Sequence, residues 1–377
     1  MHWISPIRRV TSSVTWGWYA ISLSWGGIAV LLHQTPHQFH GLPTIGTIIF
    51  IVDLVLYTAI TLALLLEAAV PPEGSKPWEG PPSFAARVLH IKQPPDLFFA
   101  PISLLAFATI IFNTSYYGTP HCGRWLILTL NALFWVYTGV SLLLALVLGW
   151  WIPYTRTTPA DHYPIVNVLP YFPPMLSGTM AGVLAPHQAP AQAIPMLVGG
   201  TTMQGFGFLM FLVVLVQSCS AVGTEGLPIP AHRPEMFIAV GPPSFTIIAM
   251  ISMAAAAVEK LPTHYISSAS SVRTADVLLV VAVAASLFLW TLAFFLFGMG
   301  ALSMLESLWH RTIRFEQIWW CMVFPITGFV LATIDLGEYL NSEPILWVGT
   351  GMTLFQVCLW LAITICQLWE WGGKRAI

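Results

Sequence analysis

Residues 233–258 read RPEMFIAVGPPSFTIIAMISMAAAAV. From Met236 to Val258 the stretch carries no charged residue, and it is long enough to cross a bilayer, which takes about 20 apolar residues in helical form. Within it stands Gly241-Pro242-Pro243. Proline lacks an N–H and crowds the preceding turn, so it breaks a helix and leaves carbonyls without partners. In a membrane such groups need protein or water around them. A span broken in this way belongs inside a helical assembly rather than against lipid.

Nine further stretches resemble it in length and apolar character. Four precede the fifth span: Trp16 to Leu32, Thr44 to Leu66, Leu97 to Tyr116 and Trp125 to Ile152. The others are Ile165 to Leu184, Ala191 to Cys219, Ala275 to Leu302, Ile318 to Leu340 and Ile345 to Trp371. Of the 377 residues 56% are hydrophobic and 8% charged, with a mean hydropathy of +0.76, whereas a soluble domain carries about a quarter charged residues. The sequence therefore predicts an all-α polytopic membrane protein of ten transmembrane helices, one domain over residues 1–377, with no room for a separate soluble domain. Arg8 and Arg9 precede the first apolar run without a small-residue cleavage site, so a retained first helix is expected.

Ten spans put both termini on one side, and the lysines and arginines choose which. Arg8, Arg9, Lys76, Arg87, Lys92, Arg156, Arg233, Arg311, Arg314, Lys374 and Arg375 share the side of the termini, against Arg124, Lys260 and Arg273 opposite. The cytoplasmic side carries the excess, so both termini are predicted to be cytoplasmic.

Proline and glycine favour the odd-numbered helices. The first has Gly26-Gly27, the third Pro101, the fifth Pro170, Pro173, Pro174 and Gly178, the seventh Gly241-Pro242-Pro243, and the ninth Pro325 and Gly328. Breaks recurring once per helix pair suggest five helical hairpins around one axis. The odd helices would line a central pore and the even helices lie outside. Ordinary transmembrane kinks are the competing reading, since glycine and proline are common in such helices.

Several functions are excluded. A net charge of −2 without a basic tract gives nucleic acid no electrostatic footprint. The five cysteines lack metal-type pair spacing. Phosphate-loop, His-Glu-x-x-His and Gly-x-Ser-x-Gly signatures are absent, so no enzyme, cofactor or catalytic residue is predicted. His33, His37 and His40 have metal-like spacing, but a short loop without acids more often holds a hairpin, and no metal site is predicted. Asn113-Thr114-Ser115 is a formal glycosylation sequon set close against the third span.

Polar residues inside the spans are the candidates for function. Asp53 lies about 13 Å deep, at 1.5 Å per residue from Thr44, where a charge costs about 2.5–3.5 kcal/mol. It either hydrogen-bonds a neighbouring helix or carries a functional role. Arg233 starts the broken seventh span, and its planar fork matches a carboxylate. Two readings stand: direct contact with an anion, or an interfacial arginine paired with Glu235. Ser177, Thr179, Gln204, Ser244, Thr246 and Thr327 would make a polar, nearly uncharged lining that replaces hydration without binding tightly.

The string Arg233 to Thr246 resembles the fungal malic-acid transporters of the tellurite-resistance/dicarboxylate transporter superfamily, relatives of the plant slow anion channels. Gly26-Gly27-Ile28-Ala29, Thr35-Pro36-His37-Gln38-Phe39, Gln204-Gly205 and Trp319-Trp320 through Phe324-Pro325-Ile326-Thr327-Gly328-Phe329 extend the resemblance in order along the chain. It implies five hairpins, a pore lined by the odd helices, a homotrimer with one pore per subunit, and transport of malate and similar four-carbon dicarboxylates in the plasma membrane. The alternative is a sulfite efflux pump of the same superfamily. The resemblance also implies an occluding phenylalanine near Phe324, with Phe329 as the other candidate gate and packing as the competing role. Trp25 departs from the pattern, where a small polar residue is expected beside the glycine pair.

Overall fold

The computed structural model describes residues 14–69, 97–155, 163–263, 265 and 272–373. Among them there is no strand. The described residues form ten α-helices, in order α1 (Tyr19–Gln34), α2 (Leu42–Ala69), α3 (Pro101–Asn113), α4 (Arg124–Thr155) and α5 (Phe172–Leu184). The second half supplies α6 (Pro190–Glu225), α7 (Gly241–Lys260), α8 (Thr274–Trp309), α9 (Val323–Tyr339) and α10 (Glu343–Gly373). Eight helical stretches among the described residues are long and apolar enough to cross a membrane. Those containing α5, α7 and α9 reach that length with the tight turns that precede them. The sequence predicted ten spans; the two not among these eight contain α1 and α3, of 16 and 13 residues. Each is regular over only part of its apolar stretch, α1 following a 3₁₀ turn at Trp16–Trp18 and α3 running into a π turn at Thr114–Gly118.

Burial alternates along the chain. The spans containing α5 and α7 are each 89% buried and that containing α9 78%, whereas those of α2, α4, α6, α8 and α10 are buried over 17–33%. Most of α1 and α3 is buried as well. Each odd helix packs on the next, α1 on α3, α3 on α5, α5 on α7 and α7 on α9, and α9 returns to α1. Each is also covered by the helix that follows it. The even helices are apolar all round because one face meets protein and the other lipid, as a membrane span requires.

The prolines of the fifth, seventh and ninth spans mark junctions rather than bends within a continuous α-helix. The segments Pro164–Tyr171, Pro230–Val240 and Gln317–Met322 are 3₁₀ helices, each running directly into α5, α7 or α9. Pro173 and Pro174, Pro242 and Pro243, and Pro325 stand in the first turn of the α-helix that follows, where a missing N–H costs nothing. A switch from tight to regular helix inside a span often marks a hinge.

Of the cations used to orient the chain, Arg8, Arg9, Lys76, Arg87, Lys92, Arg156, Lys374 and Arg375 lie outside the described residues. Arg233 meets the last turns of α8, close in sequence to Arg311 and Arg314. At the other end of the same helix pair Arg273 donates to the Val258 carbonyl.

Glycines set the closest helix approaches. A Cβ on Gly207 of α6 would lie 2.7 Å from the Tyr171 carbonyl oxygen and 3.1 Å from the Met175 Cα, backbone atoms that cannot step aside. Gly207→Val is expected to lower the thermal midpoint in detergent, with an overpacking cost of about 1–3 kcal/mol. Gly205→Ala on the same helix meets nothing within 4 Å and is expected to be neutral. Equal midpoints for the two variants would show that α6 does not seat on α5 as described.

Candidate functional site

Three phenylalanines from three adjacent inner helices meet at the 3₁₀ to α junctions. Phe172 is the first residue of α5, Phe324 the second of α9, and Phe245 lies one turn into α7. The Phe245 and Phe324 rings stack at 4.6 Å and 18°. Phe172 tilts against them at 5.9 and 6.2 Å. All three are buried. Glycines wall the cluster: a Cβ on Gly27 of α1 would lie 3.2 Å from the Phe324 ring, on Gly241 2.6 Å from Phe172, and on Gly328 2.6 Å from Phe245. Side chains at these positions would displace the rings.

Beside the cluster is a cavity of about 30 Å³ to which all five inner spans contribute, among them Leu23, Leu105, Leu169, Ile238, Cys321 and Phe324. Its lining is apolar. Aromatic rings and a small apolar pocket thus meet where the five inner spans converge.

The six polar candidates are all buried, so none faces lipid. Ser177 accepts from Thr138 on α4 at 3.2 Å. Thr179 donates to the Phe245 carbonyl at 3.3 Å. Gln204 on α6 reaches inward to give its amide N–H to Thr246 at 2.8 Å. Ser244 and Thr246 donate to the Val240 and Pro242 carbonyls one turn earlier, at 2.6 and 2.7 Å. Thr327 donates in the same way to Val323 at 2.9 Å and accepts from Gln356 on α10 at 3.0 Å. In this closed arrangement these side chains tie outer helices to inner ones. The amide oxygens of Gln204 and Gln356 are buried without a partner among the described residues. Gln356 was missed in the sequence, where an amide inside an apolar run was its only signal. Phe172 and Phe245 were missed too, although Phe245 lies within the quoted string.

Arg233 is nearly buried and faces α8. Its Nη1 donates to the Ser303 carbonyl at 2.8 Å, to the Ser307 hydroxyl and to the Glu306 carboxylate, and its Nε donates to the Pro228 carbonyl at 3.2 Å. Its carboxylate partner is thus Glu306. Glu235, fully buried, accepts the Tyr163 N–H at 2.8 Å and lies 2.8 Å from His232 Nδ1.

Asp53 is fully buried although it sits on an outer helix. Ser22 of α1 donates to its Oδ1 at 2.5 Å, while Oδ2 has no partner among the described residues and lies against Gly26. Phe329 packs on Trp290 and Phe297 of α8 at 5.5 and 5.7 Å, away from the Phe324 cluster. Trp25 meets Trp360 of α10 edge to face at 4.7 Å, so its ring fills a contact between α1 and α10.

His37 is bonded to Thr350 at 2.7 Å and to Glu343 at 3.0 Å, and stacks on Trp347 at 3.9 Å. It pins its loop to α10. Among the described residues no group of three His, Cys, Asp or Glu side chains is placed to hold a metal. Asn113 is buried and donates to the Gly26 carbonyl at 2.9 Å, so its amide is out of reach of glycosylation in the folded chain.

With eight membrane-length apolar helices and no strand among the described residues, the chain is an integral membrane protein. The chain belongs to the voltage-dependent anion channel family, SLAC1, whose family model matches residues 13–368. The resemblance read from Arg233 to Thr246 therefore extends over nearly the whole chain. It is 28% identical over 364 residues to the malic acid transport protein of Schizosaccharomyces pombe, covering 95% of this chain and 78% of that protein. A second protein of that yeast, provisionally named as a malic acid transport protein, is 30% identical over 357 residues, covering 94% and 77%. The sulfite efflux pump SSU1 of Arthroderma benhamiae is 21% identical over 352 residues, covering 92% and 88%. Members of this family are transporters or channels, not enzymes by name, and their naming supports anion transport.

Proposed function

We propose that this protein moves malate and related four-carbon dicarboxylates across the plasma membrane, along the axis of the α1, α3, α5, α7 and α9 ring. Ten spans in five hairpins would surround one such path per subunit of a homotrimer, with both termini cytoplasmic. The observation that carries the substrate is the identity gradient: 28–30% to the two proteins named for malic acid transport against 21% to the sulfite pump. The closed inner ring supports an axial path, and the excess of lysine and arginine on one side supports the orientation.

In this reading the phenylalanine cluster is the barrier, with Phe324 its movable member. Ser244, Thr246 and Thr327 lie within a turn of it along their helices, and with Ser177, Thr179 and Gln204 they supply donors once the rings part. Arg233 stands at the entrance, where its bonds to α8 would hold the 3₁₀ entry of the seventh span in place. Sulfite efflux is the second reading, favoured by a match that still covers 92% of the chain.

Uptake of labelled malate and labelled sulfite into liposomes holding the purified protein separates the two. Malate is expected to enter well above the protein-free background and faster than sulfite. Sulfite flux without malate flux would overturn the substrate assignment.

A further inference from the structure

Asp53 is a fully buried carboxyl that the proposed path does not use. The helices around it offer no cation: α1, α2 and α3 carry neither lysine nor arginine. On its own helix Tyr57 is the titratable neighbour close enough to sense its charge. On α1 the titratable groups are Tyr19, bonded to Thr61, and His33, stacked on Tyr116 and edge to face with Tyr117 at the other end. The regular turns of α3 carry none. Its Oδ1 takes one hydrogen bond, from Ser22, and its Oδ2 takes none among the described residues.

Oδ2 is pressed against α1. A Cβ on Gly26 would lie 2.6 Å from it and would also collide with Thr109 of α3, so the glycine is what admits the carboxyl. The next residue, Gly27, faces the ring of Phe324 and the methyl of Thr327. One turn of α1 thus has the carboxyl on one side and the barrier on the other.

We propose that Asp53 is a proton-binding site whose occupancy holds the barrier closed. The inference rests on the axial path described above. An enclosed carboxyl without a cation is accommodated as the neutral acid. Outward movement of α2 would admit water to Asp53 and favour the carboxylate. With α2 displaced, α1 can follow it outward, and that movement withdraws Gly27 from the Phe324 ring on its other side. A ligand that binds one arrangement better than another shifts the population towards it, so protons favour closure and rising pH favours opening.

The test compares malate flux of wild type and Asp53→Asn in liposomes, with equal pH inside and out, from acidic to mildly alkaline pH. Asparagine keeps the shape of the neutral acid and cannot ionise. The ratio of wild-type to variant flux cancels malate's own titration and is expected to rise by about tenfold across the series. A flat ratio, with Phe324→Ala still conducting, overturns the proposal. Infrared difference spectra of the wild type report the site without transport: a protonated-carboxyl C=O band that titrates and is missing in Asp53→Asn is expected. Absence of that band overturns the proton site even if neither wild type nor Phe324→Ala moves malate, a result that would separately sink the transport reading. Stabilisation of wild type, and not of the variant, by sodium would show a metal site instead and overturn it too.

Discussion

Phe324→Ala is expected to raise malate flux by about ten- to a hundredfold. The Phe324 ring stacks on Phe245 at 4.6 Å and touches Phe172 at 6.2 Å. Aromatic pairs of this kind are worth about 0.5–1.5 kcal/mol each beyond their buried area, and each 1.4 kcal/mol or so changes a rate about tenfold. Alanine at 324 removes both ring contacts at once. Phe329→Ala makes the contrast. That ring packs on Trp290 and Phe297 of α8, and its removal should lower the thermal midpoint without opening the path. The measurement is initial uptake normalised to protein in the membrane. Unchanged flux in Phe324→Ala at normal protein level would place the barrier elsewhere.

The layering of this fold was legible in the sequence because proline and lipid are incompatible in a particular way. Pro173-Pro174, Pro242-Pro243 and Pro325 mark the spans that carry 3₁₀ entries, and those spans are among the enclosed ones. Rotational detail was not legible. In α2 an apolar residue stands on every side, so no periodicity told which way Asp53 points, and its inward aim between α1 and α3 emerges only from packing. Phe245 and Phe172 pair with Phe324 across three helices, a relation that 22 phenylalanines in one chain cannot specify by spacing. Glu306 lies 73 residues from Arg233, whereas the adjacent Glu235 looked the natural partner.

That pairing decides what Arg233 can do, and Arg233→Ala is expected to lower both transport and the thermal midpoint. The side chain fastens the 3₁₀ entry Pro230–Val240 to the last turns of α8 through Ser303, Glu306 and Ser307, and holds the Pro228 carbonyl as well. Hydrogen bonds from a charged group contribute about 1.5–3 kcal/mol each. Glu306 is about half exposed, so water can solvate it when the arginine is lost, and the cost stays nearer that of the bonds than that of an orphaned buried charge. Lysine should rescue little, since one ammonium cannot reproduce the planar fork. Glu306→Gln separates anchoring from anion capture. Its amide oxygen still accepts from Nη1, so an anchoring arginine should keep most of its transport and leave the apparent affinity for malate unchanged. If Arg233 instead binds the substrate carboxylate, removing its competitor should tighten the apparent affinity for malate. Tighter affinity in Glu306→Gln, together with lost transport and an unchanged midpoint in Arg233→Ala, would assign the residue to the anion and refute the anchor.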